Sequence, residues 1–140
     1  MTLESRILLR QEIMLHEGLR LKPYTDTVGK LSIGYGRNLN DTGITKLEAE
    51  VLLDHDLAQA EIDCRRSFSW FPTLSDTRQR VLVNMCFNLG LPKLKTFTRM
   101  LAAIADEDYV TASVEMLQSK WAQQVKGRAS VLAKMMRDGR

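Results

Sequence analysis

A chain of 140 residues with 44% hydrophobic content suits one domain with a core of ordinary size, and it excludes a disordered or low-complexity polymer. No apolar run reaches the ~18 residues that a membrane span needs, and the amino terminus, Met1-Thr-Leu-Glu-Ser-Arg-Ile-Leu-Leu-Arg-Gln-Glu, is too charged for a secretory h-region, so cytoplasmic synthesis without membrane insertion is expected. The net charge of +3 conceals an asymmetry, because residues 1–64 carry 7 Lys+Arg against 11 Asp+Glu whereas residues 65–140 carry 13 against 6; the basic half favours a polyanionic partner or is a solvated surface.

Leu3, Ile7, Leu8, Met14 and Leu15 recur at helical spacing, so residues 2–16 read as an amphipathic helix that stops at Gly18. Glu17 then sits on the last turn, where the negative end of the helix dipole favours a protonated carboxyl. From Pro23 to Gly36 the period changes to two. Leu31, Ile33 and Tyr35 alternate with Lys30, Ser32 and Gly34, which puts Ser32 and Gly34 on the open face of a strand. Asp26-Thr-Val-Gly29 supplies the preceding turn, making a hairpin or three-strand sheet. Gly34 and Gly36 weaken a strand unless backbone or ligand approaches closely there.

Thr45-Lys-Leu-Glu48 is a capping box. The stripe Leu47, Val51, His55, Ala58 and Ile62 extends it into a long connecting helix over about 46–66. Cys64 and Cys86 lack CxxC spacing and the only histidines are His16 and His55, so no metal and no cofactor is expected, and the cysteines read as free thiols packed on helices. Ser75 caps a helix whose face is Val81, Leu82, Met85 and Leu89, stopped by Gly90 and Pro92. Helices at about 96–105, 108–118 and 128–137 follow, with a break over Gln118–Gly127. Methionines 85, 100, 116, 135 and 136 read as core filling.

Two carboxylates with unlike surroundings suit glycosidic bond cleavage, in which a protonated acid serves the leaving oxygen and a second group attacks or activates water. Glu17, beside Leu15 and Leu19, is the better acid; Asp26, among turn N–H groups and hydroxyls, is the better anion. Ser32 can hold a water between them. Activation of water asks for carboxyls roughly 6.5–9.5 Å apart and covalent attack by Asp26 for roughly 5–5.5 Å. A continuous helix from 17 to 26 would put them about 13.5 Å apart along its axis, so the chain must turn back after Gly18.

The string Glu17-Gly-Leu-Arg-Leu-Lys-x-Tyr-x-Asp26-Thr-x-Gly-x-x-Ser32-Ile-Gly-x-Gly36 resembles the catalytic signature of the phage-type lysozymes, glycoside hydrolase family 24. Gly43-Ile-Thr-Lys-x-Glu48-Ala-Glu50 is similar to the start of that family's connecting helix. Asn84-Met-x-Phe-Asn88-x-Gly90 resembles its central helix, and Ser119-Lys-Trp121 followed by Gly-Arg128-Ala resembles its C-terminal lobe. The resemblance implies an α+β, mostly helical lysozyme-like fold acting as a single catalytic domain. Its small antiparallel sheet lobe, about 18–45, is joined by the long helix, 46–66, to a helical lobe of about 67–140 plus the N-terminal helix.

The same resemblance implies a muramidase that cleaves peptidoglycan between N-acetylmuramic acid and N-acetylglucosamine, with inversion and without a metal. Glu17 is then the general acid, Asp26 orients or activates the water and Ser32 helps hold it. Arg128 pairs with Glu17, with Asn88 and Trp121 in the same neighbourhood and Gly34, Tyr35 and Arg37 supporting. A cation beside Glu17 favours its ionised form and opposes the helix-end effect, so the balance stays open. A phage endolysin, monomeric, made in the host cytoplasm and reaching the wall after a holin-type breach of the inner membrane, is the expected setting.

Ser32 replaces the threonine of the T-even members, and Arg37 replaces a histidine that pairs with an aspartate, here Asp56. The loop from Arg37 to Ile44 is short. These departures support an alternative, a catalytically weakened wall-binding structural or tail component on the same fold. Nucleic-acid binding is not expected, because neither a helix-turn-helix signature nor an aromatic stacking platform is found.

Overall fold

Thr2 begins the first helix by accepting the Ser5 N–H on its hydroxyl at 3.1 Å, and Gly18, at φ 70°, ends it by donating to the Met14 carbonyl. A computed structural model describes all of residues 1–140. It contains eight helices and one three-stranded antiparallel sheet, a lysozyme-like α+β fold. Contacts divide the chain into two units, Met1–Val51 and Leu52–Arg140.

The first unit holds α1 (Leu3–Glu17), β1 (Arg20–Thr25), β2 (Leu31–Gly34), β3 (Arg37–Asn38) and the start of α2 (Lys46–Ser67). The strands follow one another in the order β1-β2-β3. No residue of α1 is buried, although an apolar stripe is plain in its sequence; three short strands offer it no broad apolar face inside this unit. Ser32 is the one buried residue before position 52. The unit is therefore held by backbone pairing and side-chain hydrogen bonds rather than by a hydrophobic core.

Two expectations about facing change here. Ser32, expected on the open face of its strand, is only 3% exposed, while Leu31 and Tyr35 of the supposed inner face are 41% and 38% exposed. Ser32 lies on the central strand, in register with Tyr24 of β1 and Asn38 of β3, a place flanked by a strand on either side whatever its polarity. In α2 the expected stripe is exposed at Leu47, Val51, His55, Ala58 and Ile62. The positions that are buried are Ala60 and Cys64, one turn apart near its C-terminal end.

The second unit contains the rest of α2, a 3-10 turn at Phe71–Thr73, and α3 (Asp76–Leu89), α4 (Leu91–Leu94), α5 (Thr98–Ala105), α6 (Tyr109–Leu117), α7 (Lys120–Val125) and α8 (Gly127–Asp138). Helix α7 occupies the stretch expected to be a break, with Ser119 as its cap. Ser75 caps α3 as its sequence indicates, and Gly90 ends it at φ 81°. Val81, Leu82, Met85 and Cys86 of α3 are buried, as are Met100, Met116 and Met136, with Met135 packed at the edge. The methionines therefore fill the core, and both thiols are free and buried there. Burial pushes both cysteine thiols up from their ordinary value, and for Cys64 the neighbouring Cys86 adds to the effect.

Arg78 ties three helices of this unit together. Its guanidinium stacks 3.5 Å over the Tyr109 ring and donates to the Met136 and Arg137 carbonyls at 2.8 and 3.1 Å, which are among the last carbonyls of α8 and lack helical partners. The division between a core-held and a hydrogen-bond-held unit makes a test. Leu82→Ala, at a fully buried position, is expected to cost about 2–5 kcal/mol, whereas Val51→Ala, 57% exposed, should stay within about 0.5 kcal/mol. Urea unfolding curves compare them, and equal losses would contradict this assignment of the core.

Candidate active site

Glu17 is the last residue of α1 and Gly18 turns the chain into β1. A Cβ added to Gly36 would stand 3.1 Å from Glu17 Oε2 and 3.5 Å from its Cδ, so the carboxyl rests against the turn that joins β2 to β3. Gly36 has φ +81° and is the third of the four turn residues Gly34-Tyr35-Gly36-Arg37, where positive φ is natural only for glycine. Both its conformation and its neighbour demand the missing side chain.

Asp26 lies at the other end of β1. Its Oδ1 accepts the Val28 and Lys30 N–H groups at 2.9 and 2.8 Å, while its own N–H donates to the Lys30 carbonyl and its carbonyl accepts from Gly29. The aspartate thus builds the turn that presents it. Both side-chain bonds use one oxygen, which leaves Oδ2 available to a water.

The strand between the two carboxylates is not regular. Arg20 pairs with Gly34 and Tyr24 with Ser32, so four steps along β1 match two steps along β2. Four regular steps would span about 13 Å, and two span about 7 Å. This bulge brings the ends of β1 closer than a regular strand would. Pro23 lies within it, and a residue without an N–H to contribute to a ladder is at home in a bulge.

Arg37 opens β3 and faces Ile33 in register. Its Nη1 donates to Glu48 Oε2 at 2.9 Å and to the Gly43 carbonyl at 3.1 Å, and its Nη2 donates to Glu48 Oε1 at 2.7 Å. Its partner is Glu48, not the Asp56 that the resemblance suggests. Glu48 also completes the capping box, accepting the Thr45 N–H at 2.8 Å while its own N–H donates to Thr45 Oγ1. The Arg37 bond foremost, with the Thr45 N–H behind it, lowers the Glu48 carboxyl to about 2.

The remaining site candidates lie in the second unit. Trp121, buried, donates its indole N–H to Asn88 Oδ1 at 2.8 Å and meets the Phe97 ring edge-on at 6.3 Å between centroids. The indole borders an open pocket of about 520 Å³ whose lining includes Phe97, Glu115 and Lys120. Arg128 is exposed, and its Nε and Nη2 both donate to Asn84 Oδ1, the first at 2.9 Å. Chain order alone gives no sign of the Glu48 and Asn84 contacts. The capping box marked Glu48 for one of its two roles, and Asn84 stands in a motif without an assigned task.

A short hairpin carrying one carboxylate, a helix end carrying another against a glycine turn, and a helical unit with a paired tryptophan form one pattern. The sequence model described as phage lysozyme matches residues 14–137. The chain belongs to the phage lysozyme family. Within reach of that family lies the endolysin of Acyrthosiphon pisum secondary endosymbiont phage 1, 31% identical over 86% of this chain and 82% of the endolysin. The probable T4-type lysozyme 1 of Dictyostelium discoideum is 26% identical over 94% of each chain. The pre-baseplate central spike protein Gp5 of Enterobacteria phage T4 is 32% identical over 81% of this chain. The chain spans a quarter of that spike protein's length.

In this lysozyme-family chain the Arg37–Glu48 pair carries a pH signature. Glu48 is depressed from 4.5 to about 2 in the folded state, so its contribution to stability is fully present above about 4.5 and is lost as pH falls through about 2. Glu48→Gln lacks it at every pH. The difference in melting temperature between wild type and Glu48→Gln should therefore be small, as for any exposed pair, constant near neutrality and shrinking from pH 4.5 toward pH 2. A gap that stays constant down to pH 2 would refute it.

Proposed function

We propose that this protein is a peptidoglycan hydrolase, a muramidase that cleaves the β-1,4 bond between N-acetylmuramic acid and N-acetylglucosamine. Family membership is the observation that carries the reading, and the arrangement around β1 supports it. Glu17, at the helix end, protonates the leaving glycosidic oxygen. Asp26, with one oxygen fixed by turn N–H groups and the other open, orients and deprotonates a water on the opposite face of the sugar. Ser32, buried on the central strand, is proposed to help hold that water with its hydroxyl. Attack by water rather than by Asp26 inverts the anomeric centre, and no step calls for a metal or cofactor. Asn88, Trp121 and Arg128 support the bound glycan strand, with Gly34, Tyr35 and Arg37 shaping the turn beside Glu17.

The setting proposed is that of an endolysin, a single catalytic domain, monomeric, made in the host cytoplasm and admitted to the wall when a holin-type protein opens the inner membrane. The endolysin likeness over most of both chains supports this. A second reading has its own support in the likeness to a phage spike protein, which fits a lysozyme-like unit of a phage particle. The basic C-terminal half suits attraction to an anionic wall, and activity on it should fall as salt rises.

Purified peptidoglycan incubated with wild type and Glu17→Gln tests the chemistry. Wild type should release muropeptides with free reducing ends, and Glu17→Gln should lose at least about 100-fold in rate, the lower end of the scale for one general acid, while keeping its circular dichroism spectrum. A Glu17→Gln protein that clears the wall at near-normal rate would end this assignment. Product masses separate hydrolysis from anhydro-sugar formation, whose products are one water lighter.

A further inference from the structure

The turn against which Glu17 rests is held differently at its two ends. At Gly34 it continues into β2, which pairs along its length with β1. At Arg37 it enters β3, a strand of two residues with two register pairs, Ser32 with Asn38 and Ile33 with Arg37. So short a ladder holds little by itself, and no apolar core backs it, because Ser32 alone is buried in this unit.

The Arg37 side chain supplies what the backbone lacks. Its two-pronged bond to Glu48 and its third bond to the Gly43 carbonyl fix the first residue after Gly36 in a planar fork that only a guanidinium forms. Glu48 is a firm anchor, since Oε2 also accepts the Thr45 N–H in the first turn of α2. The contacts run unbroken from the start of α2 through Glu48, Arg37 and Gly36 to the carboxyl of Glu17, which a Cβ on Gly36 would approach to 3.1 Å.

We propose that Glu48 is a positioning residue for Glu17: by gripping Arg37 it holds the Gly36 backbone against the Glu17 carboxyl and so aims the proton that the acid donates. The proposal rests on the assignment of Glu17 as the general acid. The two side chains are 37% and 40% exposed, and exposed pairs add little to stability. The value of this pair lies in geometry. A proton donor displaced by about 1 Å loses rate steeply without losing its affinity for the glycan.

Initial rates on soluble peptidoglycan strands, with melting temperatures, test the proposal on Glu48→Gln, Arg37→Lys, Gly36→Ala, the double variant Glu48→Gln/Gly36→Ala, and Thr45→Ala. Thr45→Ala removes the hydroxyl cap of α2 but leaves the Thr45 N–H and the Arg37 fork in place. Glu48→Gln and Arg37→Lys should lower kcat by about 3- to 10-fold with KM within about twofold, and Gly36→Ala by about 10- to 100-fold. The double variant should be no slower than Gly36→Ala alone, because both act on one contact. Thr45→Ala should melt earlier and keep its kcat.

Glu48→Gln with wild-type kcat overturns the proposal, and so does a kcat loss in Thr45→Ala that matches it, since the effect would then be one of helix stability. Should Gly36→Ala fail to fold, the comparison of Glu48→Gln with Thr45→Ala decides alone. Wild-type activity together with its loss in Glu17→Gln, but not in Glu48→Gln, defeats only this proposal. A wild type that releases no product defeats the enzyme assignment and this one with it.

Discussion

β1 advances four residues where β2 advances two, and the placing of both carboxylates follows from that mismatch. Glu17 enters from the Arg20 end and Asp26 leaves from the Thr25 end. A regular six-residue strand would hold such groups about 17–20 Å apart. The bulge takes up the excess, and the side-chain bonds of Asp26 to Val28 and Lys30 fix where the strand finishes. The separation of the two acids is thus a property of backbone register. It does not depend on contact between the carboxylates.

The two units solve stability in opposite ways, and the difference bears on function. The helical unit buries Leu82, Met85, Met100, Met116, Trp121 and Met136, enough apolar surface to be rigid by packing. The sheet unit has no comparable core, so its shape rests on directional bonds: the Asp26 turn, the ladder of β2 and the Arg37–Glu48–Thr45 junction. Directional bonds fix angles more closely than apolar contacts do, but each one carries a larger share. In this unit a single polar side chain, Glu48, joins the start of α2 to the turn beside Glu17.

What was legible in the sequence was local. Gly18 and Gly90 as helix stops, Ser75 as a cap and Thr45 with Glu48 as a capping box each depend on a few neighbouring residues, and each stands where its signature places it. Burial was not legible in the same way. Period two assigned Ser32 to an open face, because polarity was the only available guide; its central place between β1 and β3 is a matter of strand order. The stripe on α2 failed for a related reason, since which face of a connecting helix is covered depends on its neighbours and not on its own pattern. Helix α7 carried a signal in the Ser119 cap, but six residues are too few for a period to show. At the site, the residue types were legible and the partners were not: Arg37 stood out as a departure, yet its bond to Glu48 required the fold.

A lysozyme-family fold settles neither where the chain works nor in what assembly, because likeness extends both to an endolysin and to a spike protein and one fold can serve several settings. The chemistry is narrower. Whatever brings the protein to a glycan strand, the proposed reaction depends on a proton leaving Glu17 in the right direction and on a water held near Asp26. The contacts that bear on the first are a glycine turn anchored through an arginine, and on the second a carboxylate with one oxygen bonded within its own hairpin. On the proposed reading, a change at the Glu48 anchor acts both on the first turn of α2 and on the turn beside Glu17.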